Sequence, residues 1–458
     1  MGRMSQILTS VLAFVAAIGL LVAIHEYGHY SVARLFGVKV LRYSIGFGRV
    51  LWSRHSGPDN TEYCLSAVPL GGYVKLLDER DCPVTFADRG RAFNRQSAGV
   101  RIAILSAGPV FNLLFAIVAY TIMFMSGVPD MKPVVGPVAP GSMAATAGLH
   151  EGDTIIAVGG QPVAAWGAAT MAMLDGMLSD GEIRLGVADP AGSKRQLSLP
   201  TAGRESALTE PGKLFSGLGF KPWSPVVLPV IGEIVPGGPA DRAGFKSQDR
   251  IIAADGQPIA TWIEWVKFVR ARPGAQLDVT VGRGATELRI PVSLAATDAK
   301  QGRTGYFGAS NSMPDDLLDG MRTEERYGLI EAVTRATGRT WEVSALTLRM
   351  IGRMVVGDVS VKNISGPINI AEYAGVTFSI GASAFLSFLA IVSISLGVLN
   401  FLPIPMLDGG QIVYTLAESL KGSPLSERAQ IVGQQVGIVF LLVLMSFAFY
   451  NDLSRLLG

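Results

Sequence analysis

Four long apolar stretches dominate the pattern of hydrophobic and polar positions along this chain of 458 residues. They cover residues 7–24, 102–125, about 378–402 and about 432–450. As a helix, each stretch is long enough to cross a hydrocarbon core of about 30 Å. The first stretch could be taken for a secretory signal, but no small-residue cleavage site follows it. The pattern therefore predicts four membrane-spanning helices.

A different pattern lies between the first two apolar stretches. Residues 38–51 and 62–77 have the pattern of β strands, and they flank a turn at residues 56–60. We therefore expect a β hairpin beside the first helix.

The region between the second and third spans contains two copies of one module. Pro133-Val134-Val135-Gly136 realigns with Pro229-Val230-Ile231-Gly232 after a shift of 96 residues, with no gap as far as Trp166 and Trp262. Each copy combines short apolar strands, Gly/Pro turns and a short helix. The repeat predicts two small α/β domains.

A further helix is predicted after the second copy. Residues 327–356 mix arginine, glutamate and apolar residues at helical spacing. Either a membrane-surface amphipathic helix or a plain linker helix fits this pattern. The apolar residues near its end favour the membrane-surface helix, namely Leu346, Met350, Ile351, Met354 and Val355.

Composition narrows the class of protein. Hydrophobic residues make up 49% of the chain and charged residues only 17%, which is too apolar for an ordinary soluble protein. The net charge of +2 gives no indication of nucleic-acid binding. The lipid bilayer is therefore the first expected partner.

Charge also predicts the orientation of the chain. The segment 31–101 has eleven Lys/Arg against six Asp/Glu, so the positive-inside rule places it in the cytoplasm. The two modules then lie on the opposite side, and the inner end of the first helix lies near the cytoplasmic boundary. Cys64 and Cys82 both fall in the cytoplasmic segment, where a disulfide is not expected.

The strongest chemical signal is the motif His25-Glu26-Tyr27-Gly28-His29 at the inner end of the first apolar stretch. On a helix, positions i and i+4 share a face, so both imidazoles can bind one Zn²⁺. Glu26 stands beside the first of them and can act on water that the zinc activates. A pair of interfacial histidines is the alternative, but these polar groups would be costly in a lipid-facing helix without a use.

Asp408 is the best candidate for a third ligand, since a catalytic zinc usually takes three from the protein. His55 lies in a polar turn, and His150 is replaced by Lys246 in the second copy, so both are poor candidates. Asp408 follows the third span, on the same side as the motif. Prolines before it and glycines after it allow unwound backbone to present the carboxylate. A helix-capping aspartate is the alternative.

Together these features resemble the site-2 protease family, and most closely its Gram-negative sigma-E-regulating branch. The motif at 25–29, the run 400–410 (Asn-Phe-Leu-Pro-Ile-Pro-Met-Leu-Asp-Gly-Gly) and the tandem modules carry the resemblance, which covers nearly the whole chain. It implies a zinc metalloprotease of the bacterial inner membrane that cuts single-pass membrane proteins, chiefly an anti-sigma factor already trimmed in the periplasm. The residues implied are the zinc ligands His25, His29 and Asp408, the catalytic base Glu26, and Asn400, which holds substrate backbone or the oxyanion.

The hairpin and the second span also resemble parts of this family. Gly46-Phe47-Gly48 is similar to its membrane-entering loop, and Gly71, Gly72 and Tyr73 to the neighbouring strand. A helical substrate must unwind before attack, and a strand edge beside the zinc could replace its backbone bonds. An ordinary cytoplasmic hairpin is the alternative. Residues 108–112 (Gly-Pro-Val-Phe-Asn) either pack near the site or form a kink whose amide bonds a neighbouring helix.

Each module resembles a PDZ domain, most clearly at residues 236–244 (Pro-Gly-Gly-Pro-Ala-Asp-Arg-Ala-Gly). Gly217-Leu218-Gly219-Phe220 is similar to the carboxylate-binding loop of that family, where backbone N–H groups receive a peptide. This loop either opens the second copy or closes the first, and Gly305-Tyr306-Phe307-Gly308 after the second copy favours circular permutation. The alternative is that neither groove binds peptide.

The expected fold is a multi-pass α-helical membrane protein with a cytoplasmic-side β-hairpin region and two α/β PDZ-like periplasmic domains. The predicted segments are the first helix with its zinc motif (1–30), the hairpin region (31–101), the second helix (102–126), the PDZ-like domains (127–216 and 217–310), an amphipathic helix or linker (311–377), the third helix (378–403), a cytoplasmic loop with Asp408 (404–431) and the fourth helix (432–451).

Rival functions remain open on the sequence alone. Clearing of signal-peptide remnants could be the main task of such a protease. A membrane zinc transporter could use His25, His29 and Asp408 as a transit site, but it leaves Glu26 and the peptide-binding modules unexplained. A non-catalytic PDZ scaffold is the remaining alternative, and the complete set of candidate ligands argues against it.

Overall fold

A computed structural model of the chain describes residues 3–81, 83–299, 302–312 and 320–457. Contacts divide the chain into two units, one of Met1–Pro133, Val138–Lys221 and Thr323–Gly458, and one of Val134–Pro137 and Pro222–Arg322. The helices are α1 (Arg3–Leu35), α2 (Ala98–Ser126), α3 (Met143–Thr146), α4 (Trp166–Asp180), α5 (Glu205–Thr209), α6 (Leu214–Leu218), α7 (Pro239–Arg242), α8 (Trp262–Arg270), α9 (Leu329–Val356), α10 (Pro367–Ile380), α11 (Ala382–Phe401), α12 (Asp408–Lys421) and α13 (Glu427–Leu457).

The strands alternate with these helices outside the long apolar stretches. They are β1 (Val40–Ser56), β2 (Thr61–Leu76), β3 (Val128–Met131), β4 (Val135–Val138), β5 (Thr154–Val158), β6 (Gln161–Pro162), β7 (Glu182–Ala188), β8 (Lys194–Pro200), β9 (Phe220–Pro222), β10 (Ile231–Ile234), β11 (Arg250–Ala254), β12 (Gln257–Pro258), β13 (Gln276–Arg283), β14 (Thr286–Ser293), β15 (Ala295–Ala299), β16 (Gly302–Tyr306), β17 (Ala309–Asn311) and β18 (Arg322–Glu325).

Among the described residues, α1, α2, α11 and α13 are long and apolar enough to cross a membrane. This confirms the prediction of four spans, although the helices are longer than some of the apolar stretches. α1 continues past residue 24 to Leu35, so the whole metal motif is helical. The third span begins at Ala382 and not at 378, because Gly381 separates it from α10.

The hairpin beside α1 forms as predicted. Because β2 pairs with β1 twice, the two strands together have the arrangement of a three-stranded sheet. The first half of β1 lies between the two ends of β2, so that Arg42 pairs with both Glu62 and Lys75. Residues 71–76 of β2 therefore form an edge, and no described strand pairs with its outer side. Cys64 is buried and free in β2, whereas Cys82 lies outside the described residues.

The two predicted modules have matching sheets. In the first unit the strand order is β6-β5-β7-β8, and in the second it is β12-β11-β13-β14. Asp153 and Asp249 occupy equivalent positions, and each buried carboxylate holds an arginine at 2.7 Å, Arg195 and Arg283 respectively. The duplicated sequence thus produces the same topology twice, and in each copy a buried aspartate pairs with a partly exposed arginine.

The Gly-Leu-Gly-Phe segment packs with the first copy. Ala139 donates a backbone hydrogen bond to Gly219, and the Phe220 ring packs against Trp166 and Phe215. The equivalent bond in the second copy joins Val235 to Gly308. The boundary placed at residue 217 is therefore corrected to about residue 222, where the second unit resumes.

Two helices occupy the described part of the predicted segment 311–377. α9 buries one face, including Ala336 and Val343, against α2 and α11, while Ile330 and Trp341 remain exposed on another. α10 was not predicted as a separate helix, and its first backbone N–H groups bond to the buried Asp452 carboxylate of α13.

Candidate metal centre

Helix α1 brings the two motif histidines together on one face. Their Nε2 atoms lie 3.2 Å apart. The outer nitrogen of His29, Nδ1, lies 2.8 Å from the carbonyl oxygen of Ile104 in α2. Such a bond fixes the ring and leaves Nε2 with the lone pair that binds a metal.

Asp408 reaches the histidines from the first residue of α12. The chain is not helical between α11 and α12, and Met406 adopts a left-handed φ of 92°. Gly409 and Gly410 then pack so closely on residues 401–405 that a Cβ at either would overlap backbone. Leu407, and not Asp408, is the N-cap residue, so the capping alternative does not hold.

The three side chains fit a zinc ion. Asp408 Oδ2 lies 3.1 Å from His25 Nε2 and 3.5 Å from His29 Nε2, and all three candidate ligand atoms fall within 4.8 Å of one another. Ligands held about 2.1 Å from a tetrahedral zinc are separated by about 3.4 Å. Asp408 Oδ2 is also buried without a properly oriented hydrogen bond, as expected for an atom whose partner is a metal.

The ionisation of Asp408 suits this role. Burial alone would raise the pKa of the Asp408 carboxyl, but the adjacent His25 and His29 imidazoles lower it to about 2. The group is therefore an anion at neutral pH, which is the form that binds zinc.

One face of α2 supports the whole motif. Ile104, Gly108 and Asn112 follow at four-residue intervals, so they share that face. Ile104 bonds His29, and the Asn112 side-chain amide lies 3.2 Å from His25 Nδ1. Gly108 lies between them, where a Cβ would overlap both imidazole rings. Residues 108–112 thus pack against the motif, as the resemblance implied.

Glu26 lies beside the candidate ligands, not among them. Its side chain is buried, and it lies beside β2 in the cavity that Gly72 and Val74 also line. Gly72 allows this approach, because a Cβ there would meet both Val22 and the Glu26 side chain. A buried carboxylate next to the metal position and beside a strand edge is placed to accept a proton from water.

A cavity of about 540 Å³ opens over these groups. Several residues that the sequence proposed for substrate or catalysis line it, namely Phe47, Gly71, Gly72, Tyr73 and Asn400. The Phe47 and Tyr73 rings stack with their centroids 6.3 Å apart. Gly46 and Gly48 flank Phe47 with positive φ angles of 92° and 83°, which glycine adopts readily. These two glycines shape the loop without lining the cavity.

A buried ion pair that sequence reasoning missed joins α2 to α12. Arg101 Nη1 lies 2.7 Å from Glu418 Oε2, and both side chains are almost fully buried. Burial alone would raise the pKa of Glu418, but the bonds from Arg101 and the Leu425 N–H lower it. The pair holds the helix that begins with Asp408 against the helix that carries Ile104. Its partners are 317 residues apart, so no local pattern indicates it.

Two N–H groups of the segment Gly217, Leu218, Gly219 and Phe220, which the sequence predicts as a carboxylate-binding loop, are already hydrogen bonded within the chain. Gly217 and Leu218 belong to helix α6. The Gly217 N–H already bonds the Lys213 carbonyl, and the Gly219 N–H bonds that of Phe215. Donors used inside a helix are not free to receive a peptide terminus.

Sequence comparison shows which known proteins this chain is similar to. The model of peptidase family M50 matches residues 13–444. The chain is 39% identical over 455 residues to the regulator of sigma-E protease RseP of Escherichia coli, covering 99% of this chain and 100% of that one. It is 41% identical over 459 residues to a putative zinc metalloprotease of Neisseria meningitidis, covering 98% of this chain and 100% of that one.

Proposed function

Because this chain belongs to peptidase family M50 and is a zinc metalloendopeptidase, we propose that it cuts transmembrane segments of single-pass membrane proteins. The position of the three candidate ligands carries this proposal. His25 and His29 lie on the candidate span α1, and Asp408 follows the candidate span α11. A hydrolytic site formed by membrane-spanning helices is accessible to substrates that lie in the same membrane. A zinc transporter or a scaffold would not require the buried Glu26.

The names of relatives support a more specific substrate. Relatives in Salmonella and Escherichia coli are named regulators of sigma E. We therefore propose that the substrate is a membrane-bound anti-sigma factor whose exported part has already been removed, which makes this the second cut. Remnants of signal peptides present the same chemistry, a short transmembrane helix with little attached.

The chain's own residues account for the steps of hydrolysis. Zinc held by His25, His29 and Asp408 would polarise the scissile carbonyl and increase the acidity of the attacking water. Glu26 accepts the proton of that water and delivers it to the leaving amine. The Asn400 amide, on the cavity wall, donates to substrate backbone near the reacting carbonyl.

The free edge of β2 offers a way to hold an unwound substrate. Residues 71–74 line the catalytic cavity, and their outer edge has no strand partner in the described chain. A substrate segment added at this edge would exchange helical hydrogen bonds for strand bonds and so expose its peptide carbonyls.

The first test is cleavage by the full-length protein in liposomes. The substrates are a transmembrane peptide with a short exported tail and the same peptide with a folded exported domain. We expect cleavage of the short form only, loss of cleavage after zinc is removed by a chelator, and recovery when zinc is returned. Cleavage that persists without zinc would contradict the proposal.

We propose that the repeated modules, which we assign as PDZ-like domains on the periplasmic side, exclude untrimmed substrates. The charge of segment 31–101 supports this orientation, because it places the hairpin in the cytoplasm. Deleting Pro222–Arg322 removes most of the second unit and none of the metal centre. The deletion should allow cleavage of the substrate with the folded exported domain and leave cleavage of the short form unchanged. Unaltered selectivity in this variant would contradict an excluding role.

A further inference from the structure

The side chain of Asn112 has one buried polar atom without a hydrogen-bond partner. Its amide Oδ1 is buried and has no hydrogen-bond partner, although the residue is 1% exposed and lines the catalytic cavity. The other end of the same amide lies 3.2 Å from His25 Nδ1. A buried oxygen without a hydrogen bond is unfavourable, so its orientation needs a reason.

The protonation of the two histidines supplies that reason. His29 Nδ1 faces the Ile104 carbonyl, an acceptor, so this nitrogen carries the proton and Nε2 is free. As a zinc ligand, His25 would use Nε2, which faces Asp408 and His29, so this nitrogen carries no proton when the metal is bound. In a neutral imidazole the proton then sits on Nδ1, and the neighbour of His25 Nδ1 must accept a hydrogen bond.

We propose that Asn112 is a positioning residue whose Oδ1 accepts the Nδ1 proton of His25. The oxygen and nitrogen of an amide have the same shape, so the hydrogen bonds decide which is which. Rotating the amide by 180° pairs the buried oxygen with His25. The NH₂ group then takes the former position of the oxygen, on a residue that lines the catalytic cavity.

The surroundings of Asn112 hold it in place for this task. The hydroxyl of Ser393 in α11 donates a 2.8 Å hydrogen bond to the backbone carbonyl oxygen of Asn112. This bond joins α2 to α11 at the position of Asn112. Ile104 and Asn112 then act as a matched pair on one helix face. Each accepts the outer proton of one histidine, and each thereby directs one Nε2 lone pair towards Asp408.

Two substitutions of Asn112 separate an acceptor from a donor. Asn112→Asp keeps oxygen acceptors for His25 Nδ1–H, and Asn112→Leu removes them with little change of volume. We expect Asn112→Leu to weaken zinc binding about 10–100-fold, the usual cost of losing such an outer bond. Asn112→Asp should bind zinc within about threefold of the parent protein on the same reasoning. Zinc affinity of the full-length protein is measured by competition with a chelator.

The outcomes decide the proposal whether or not one variant folds poorly. Equal losses in Asn112→Asp and Asn112→Leu would overturn it, because an ionised carboxylate cannot donate. Unchanged zinc affinity in Asn112→Leu would overturn it as well. Thr121→Val is the matched control, since this buried hydroxyl in α2 bonds only the Ile117 carbonyl of its own helix. Restored cleavage by Asn112→Leu at high zinc would show that the loss is in metal binding and not in folding.

Discussion

Glu26→Gln is expected to lower kcat for cleavage of a transmembrane peptide by about 10²–10⁴-fold, the range contributed by a general base. The amide has the shape of the carboxylate, so it fits the same buried position beside β2. It cannot take a proton from water. Because the Glu26 carboxylate is not one of the three clustered ligand atoms, zinc content should stay at the level of the parent protein. Both quantities are measured on the same reconstituted preparation.

A matched control removes the same charge elsewhere. Glu331→Gln changes a half-exposed carboxylate of α9, whose ion pair with Arg335 lies on a single helix. We expect this variant to cleave and to bind zinc as the parent protein does. Persistent cleavage by Glu26→Gln would disprove the assignment of the base, and loss of zinc in that variant would show that Glu26 is itself a ligand.

The sequence predicted those parts of the site that depend on local geometry. His25 and His29 are one helical turn apart, so their shared face follows from spacing alone. Asp408 was chosen because it ends an apolar segment on the proper side of the membrane and resembles a family motif. Its approach to the histidines depends on tertiary packing, which the spacing does not determine.

The structure adds the local conformation of short segments and the contacts between distant residues. The Gly-Leu-Gly-Phe segment resembles a carboxylate-binding loop, but in the folded chain the N–H groups of Gly217 and Gly219 already donate to carbonyls of the preceding helical turn. The ion pair of Arg101 with Glu418 and the role of Asn112 both depend on which helices adjoin. The sequence pattern does not predict either contact, because a polar residue in or near an apolar stretch has many possible partners.

Gly108→Ala is expected to abolish zinc binding and cleavage together, although alanine is the better helix former. The added Cβ would overlap the rings of His25 and His29. The rings cannot easily move aside, because their outer nitrogens are held by Asn112 and Ile104. The helices must then separate, which takes Ile104 and Asn112 away from the imidazoles as well. Metal content and cleavage rate after reconstitution measure the effect.

Gly99→Ala separates this steric cause from the general effect of replacing a glycine in α2. A Cβ at Gly99 would meet no heavy atom within 4 Å. Removing a helical glycine there should stabilise the protein by up to about 1 kcal/mol and leave zinc binding unchanged. If Gly108→Ala bound zinc as tightly as Gly99→Ala, the close approach of α2 to the imidazoles would not be needed for the metal centre. The inference that one face of α2 orients both histidines would then fail with it.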